Sequence, residues 1–93
     1  MQIRWDARAV QDLQEIRAFI AADRPSAAAH VAEQIKTSVR RLSKFPFMGR
    51  QTTRPTIRIL SITGTPFSMY YRLLADAVEI LAVFHGARRR FSD

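Results

Sequence analysis

The sequence contains no cysteine, which excludes a disulfide framework and any thiolate metal site. A chain of 93 residues must then hold itself together through its own core and any partner it binds, a situation suited to a reducing cytosol. Its three glycines, Gly49, Gly64 and Gly86, are scattered, so no glycine-rich phosphate loop can be assembled. The two histidines, His30 and His85, stand far apart without an acidic companion at ligand spacing, so neither a metal nor another cofactor is expected. No apolar run reaches the length of a membrane span, and Met1 to Trp5 lacks the basic start and apolar stretch of a signal peptide. A cytoplasmic protein with no membrane partner is expected. Acidic residues are also scarce, at 8 against 15 basic ones.

What is present is an apolar fraction of 47%, enough for a packed interior, and a net charge of +7 carried mostly by arginine. Arginine presents a planar fork that binds phosphates and carboxylates bidentately, so anionic partners are expected: nucleic acid, a protein–DNA complex or an acidic polypeptide. Ile3 and Trp5 alternate with Gln2 and Arg4, predicting a strand over 1–5. Asp6 is placed to cap a helix running to about Ala22, with Ala9, Leu13, Ile16 and Ile20 on one stripe and Val10 and Phe19 beside it. Pro25 disfavours a helical residue before it and suits the first turn of a second helix, Pro25 to Lys44, with Ala28, Val31, Ala32, Ile35, Val39 and Leu42 on one face. After Pro46 and Gly49 the period changes to that of strands, predicted over Thr56 to Ile62, Phe67 to Leu74 and Val78 to Phe84. The last is apolar on both faces and should lie centrally. The expected fold is α+β in two layers and one domain over 1–93: an N-terminal strand and helical hairpin packed on an antiparallel sheet, in the order β-α-α-β-β-β.

Chemistry has few candidates. His30 falls on the polar face of its helix and reads as solvated. His85, at the end of the most apolar strand, either serves as an acid or base or hydrogen-bonds the turn that follows. Arg58, Arg72 and Arg88 come from successive strand positions that a meander can bring near one edge or face, forming a candidate anion site. Arginine stabilises a phosphorane but stays protonated and serves poorly as acid or base. Arg72 has a structural alternative, in which its stem packs on the sheet while its head caps a carbonyl or pairs with Glu79, and that alternative is favoured.

The succession Pro46, Gly49-Arg50, Arg58, Thr65-Pro66-Phe67, Tyr71-Arg72, Ile80-Leu81, Val83 and His85-Gly86-Ala87-Arg88 resembles the RelE/ParE toxin superfamily of type II toxin–antitoxin systems. Trp5, Ala9, Asp12-Leu13, Ile16, Ile20, Pro25 and Ala27-Ala28 extend the resemblance to the start of the chain. It implies the fold above and a toxin held inactive by a cognate antitoxin, hence a hetero-oligomer. It also offers two targets. ParE-like members poison DNA gyrase, and the ending Val83 to Arg88 is closer to that branch, with Arg88, Arg89 and Arg90 as candidate target-binding residues and no catalytic residue. RelE-like members cut messenger RNA on the ribosome, and that alternative would rest on Arg58, Arg72 and His85. The strands carry no lysine, and Phe91 stands where a catalytic tyrosine would be expected, so gyrase ranks first. A basic nucleic-acid-binding module without toxicity is the reading outside this class. An antitoxin segment that folds on its toxin needs an apolar groove with charged rims. Val10, Phe19 and Phe45, with Arg4, Arg8, Arg17, Arg40 and Arg41, are its candidate contacts.

Overall fold

The computed structural model describes residues 1–86. Strand β1 (Gln2–Trp5) leads through Asp6 into helix α1 (Ala7–Asp23), and the Asp6 carboxylate accepts the Arg8 amide at 3.1 Å, satisfying a donor that the first helical turn leaves unpaired. Arg24 separates α1 from helix α2 (Pro25–Lys44), whose first position is the proline. Proline costs nothing there because that N–H has no helical partner. Four strands follow: β2 (Arg50–Gln51), β3 (Ile57–Ser61), β4 (Phe67–Leu73) and β5 (Ala77–His85). The class is α+β, as the periodicity predicts.

The sheet order is β1-β5-β4-β3-β2. Strands β2 to β5 form an antiparallel meander, while β1 lies parallel to β5, with Gln2 opposite Ala77 and Trp5 opposite Ile80. The sheet is therefore mixed rather than purely antiparallel, and it has one more strand than the sequence pattern predicts. The two-residue β2 is too short to show any alternation. Strand β5 is an inner strand with β4 along one edge and β1 along the other, and a parallel pair needs a long crossover between its members, which the path through α1, α2 and the meander supplies.

One face of the sheet carries the larger core. Val78, Ile80, Val83, Met69 and Tyr71 meet Ala9 of α1 and Val31, Ile35 and Leu42 of α2. Ile59, Tyr70, Ala82 and Phe84 form a second cluster on the other face, where the Tyr70 and Phe84 rings stack at 4.5 Å. The register slips between Tyr70, opposite Ala82, and Tyr71, opposite Ile80, so Leu81 is the extra residue of a bulge. That slip has a consequence for His85. Strict alternation would put His85 with Tyr70 and Arg72, but His85 pairs with Phe67, which packs on the helix side, and the two rings meet edge-on at 5.8 Å.

Pairing of β1 with β5 ends at Trp5, and beyond it the Val83 N–H is taken by the Asp12 carboxylate of α1 at 3.0 Å. Asp12 is buried, and Arg8 approaches it at 3.9 Å. The acid thus stands in for a missing strand. Asp12→Ala leaves a buried amide unsatisfied, which costs about 1–3 kcal/mol and lowers Tm by roughly 4–8 °C per kcal/mol in a domain this small. Asp12→Asn retains an acceptor oxygen and should recover most of the loss. Thermal unfolding of both variants checks this, and equal destabilisation would contradict the hydrogen-bond role.

Candidate functional site

Two helices packed side by side leave a groove where their facing side chains are small. Between α1 and α2 such a groove encloses about 560 Å³. Trp5, Val10, Leu13, Ile16 and Ile20 line one wall, Val31, Ile35 and Val39 the other, and Ala28 and Ala32 contribute side chains too short to fill it. Arg17, Lys36 and Arg40 also line it and are exposed, giving an apolar channel with a cationic rim. Of the contacts expected from sequence, Val10, Arg17 and Arg40 line this groove. Arg4, Arg8, Phe19, Arg41 and Phe45 are not among its lining residues. Arg4 lies 3.9 Å from Asp76 and Arg8 the same distance from Asp12, while Phe19 is 83% exposed.

The sheet arginines are separated. Arg58 is opposite Tyr71 and shares its helix-side face; Arg72 is opposite Ile57 on the other face. Arg58 donates from Nη1 to the Gly49 carbonyl at 2.6 Å and the Phe47 carbonyl at 3.3 Å, with its guanidinium 5.1 Å from the Phe47 ring centre. Arg72 donates from Nε to Glu79 at 2.6 Å, its cross-strand partner. His85 sits at the opposite end of the strands from both, against Phe67. Arg58, Arg72 and His85 are therefore not assembled into one constellation. His30 is exposed, with Nε2 at 3.3 Å from the Gly64 carbonyl. Arg88, Arg89 and Arg90 lie outside the described residues. Among those described, no group of three His, Cys, Asp or Glu side chains is placed to hold a metal, and no helix is long and apolar enough to cross a membrane.

One buried polar arrangement has no counterpart in the sequence reading. Tyr71 is fully buried; its hydroxyl donates to the Pro46 carbonyl and accepts the Gly49 N–H, each at 2.9 Å. Together with Arg58 it ties down the turn between α2 and β2. Burial raises the Tyr71 pKa above its ordinary 10, opposed by the Gly49 hydrogen bond and the Arg58 charge. Because the folded form holds the proton more tightly than the unfolded one, this group's contribution is complete below pH 10 and is lost as pH rises through the folded value. Stability should fall above about pH 10, and Tyr71→Phe should flatten that limb of the curve. Chemical denaturation across this alkaline range tests it; an unchanged slope in the variant would contradict it.

With the geometry in place, comparison with known proteins decides the class. The model of the ParE toxin of type II toxin–antitoxin system, parDE, matches residues 3–90. The chain belongs to the ParE toxin family. It is 42% identical over 85 residues to the Y4kP protein of Sinorhizobium fredii, covering 91% of this chain and 88% of that one. It is 34% identical over 87 residues to Toxin RelE2 of Caulobacter vibrioides, covering 94% and 97%. Among solved structures, a chain of the chromosomal ParDE toxin–antitoxin system from P. aeruginosa superposes with a TM-score of 0.81 at 25% identity, covering 91% of this chain and 95% of its own. The ParE-family assignment accounts for the fold and makes this chain the toxin component of a type II system.

Proposed function

We propose that this ParE-family toxin inhibits DNA gyrase as a binding poison, and that a cognate antitoxin neutralises it by folding a segment into the α1–α2 groove. The observation that carries the first half is the commitment of the sheet arginines to internal partners. Arg58 is spent on two loop carbonyls and Arg72 on Glu79, on opposite faces, so neither is arranged with His85 to share a scissile phosphate. A poison needs a charged surface that engages an enzyme already holding DNA, and the net +7 charge supplies attraction. The apolar groove with Arg17, Lys36 and Arg40 at its rim supports the second half, since an amphipathic acidic segment would satisfy both its parts.

The alternative, ribosome-dependent cleavage of messenger RNA, draws support from the likeness to a relative named RelE2. Induction of the toxin in cells separates the two. Gyrase inhibition predicts that plasmid recovered after induction is relaxed while transcripts stay full length, and that co-expression of the antitoxin restores growth. Transcripts cut within codons on an unchanged plasmid would support the ribonuclease reading instead.

A further inference from the structure

From Gln34 to Ala75 the sequence contains no aspartate or glutamate, while Lys44, Arg50, Arg54 and Arg58 stand in the middle of that span. Two aromatic rings project from the same place: Phe45 is 63% exposed and Phe47 68%. Neither lines the helical groove. The turn that bears them is not loose. Buried Tyr71 grips it through the Pro46 carbonyl and the Gly49 amide, and Arg58 grips it through the Phe47 and Gly49 carbonyls. The Arg58 guanidinium, 5.1 Å from the Phe47 ring centre, also steadies that ring. A loop held this firmly around exposed aromatic rings is prepared to receive something flat or apolar, because little ordering entropy is left to lose on binding.

The charge says that the visitor is anionic. An acidic protein segment answers the charge as well, but the recess that would bury its apolar side is the helical groove, and neither ring lines it. Bases of an unpaired strand need only such rings, with cations alongside for the phosphates. Lys44, Arg50 and Arg54 are all exposed and flank the turn in sequence. We propose that the turn between α2 and β2 binds single-stranded nucleic acid, with unpaired bases stacked on Phe45 and Phe47 and adjacent phosphates met by Lys44, Arg50 and Arg54. The site is separate from the helical groove and does not depend on which target the toxin attacks.

Fluorescence anisotropy of the purified full chain tests this with four labelled probes: a twelve-residue oligothymidylate, an oligouridylate of equal length, a twelve-base-pair duplex and an acidic amphipathic peptide. Both single strands are expected to bind more tightly than the duplex, since only they offer free base faces. Phe45→Ala/Phe47→Ala should weaken single-strand binding roughly tenfold or more while the protein stays folded, with Tm lowered only by the few degrees that loss of the Arg58–Phe47 contact accounts for. Phe47→Leu, which keeps apolar bulk but removes the ring, should weaken it as well. Lys44→Gln, Arg50→Gln and Arg54→Gln should each reduce the salt dependence, by about 0.7 in the slope of log K against log salt. Preference for one single strand over the other would identify DNA or RNA as the source. Equal binding of duplex and single strands with no loss in the phenylalanine variants would reduce the effect to bulk charge and overturn the proposal. Phenylalanine-dependent binding of the peptide alone would assign the loop to a protein and overturn it equally.

Discussion

Gly49→Ala is expected to lower Tm by on the order of 15 °C, more than alanine at Gly64 or Gly86, where a Cβ would meet nothing closer than 3.3 Å. A Cβ at position 49 would lie 2.6 Å from the Tyr71 hydroxyl oxygen, 2.7 Å from its Cε1 and 2.8 Å from the Ile59 carbonyl oxygen. None of these can retreat cheaply: Tyr71 is fully buried and Ile59 belongs to β3. Overpacking of this kind costs about 1–3 kcal/mol. Displacing the tyrosine also breaks the hydrogen bonds to Gly49 and Pro46, adding about 1–3 kcal/mol for buried groups left unpaired. At roughly 4–8 °C per kcal/mol for a domain of this size, the sum reaches the stated shift. Calorimetry or circular dichroism reads it directly, and a loss under about 3 °C, less than the smallest single term above would give, would mean that the turn can rearrange.

Val10→Asp is expected to weaken antitoxin binding by about a hundredfold or more while leaving the fold nearly untouched. Val10 lines the groove yet is 40% exposed in the free toxin, so the aspartate stays hydrated until a partner covers it. On binding, the lost apolar contact and the trapped carboxylate together cost several kcal/mol, and every 1.4 kcal/mol is tenfold in affinity. Phe19→Ser serves as the control, because Phe19 is a more exposed residue of the same helix outside the groove. Calorimetric titration with the antitoxin should separate the two variants. Equal affinities for Val10→Asp and the unmodified toxin would place the antitoxin elsewhere.

Much of this molecule is legible in its sequence, for identifiable reasons. The helices announce themselves through stripes at three- and four-residue spacing, and Asp6 and Pro25 fix where they begin. Strand β5 reveals its inner position because Val78 to Phe84 is apolar on both faces, and it is paired on both sides. The Arg72 ion pair with Glu79 follows from residues that a hairpin places opposite one another. Two things escape. A bulge at Leu81 inverts the face on which His85 falls, and no local pattern marks a one-residue slip. The direction of β1 relative to β5 depends on the return path through the helical hairpin, which no strand-by-strand reading contains.

The site divides in the same way. Groove residues Val10, Arg17 and Arg40 are visible as the flank and rim of amphipathic helices. Asp12 leaves a signal that can be read in hindsight: an acid three residues after Ala9, on the buried side of α1, has no solvent to face and must find a donor. The Tyr71 lock leaves none, since its partners are backbone groups of a distant turn.

The central claim, that this ParE-family toxin acts on gyrase by binding rather than by chemistry, is tested most directly with purified components. Toxin freed of antitoxin is added to gyrase, plasmid and ATP, and both supercoiling and protein-trapped cleaved DNA are measured; a parallel reaction follows messenger RNA on translating ribosomes. The expected result is loss of supercoiling with accumulation of cleaved DNA, intact messages, and the same potency after His85→Ala. Undiminished supercoiling beside ribosome-dependent cuts that disappear in the Arg58, Arg72 or His85 variants would contradict the account.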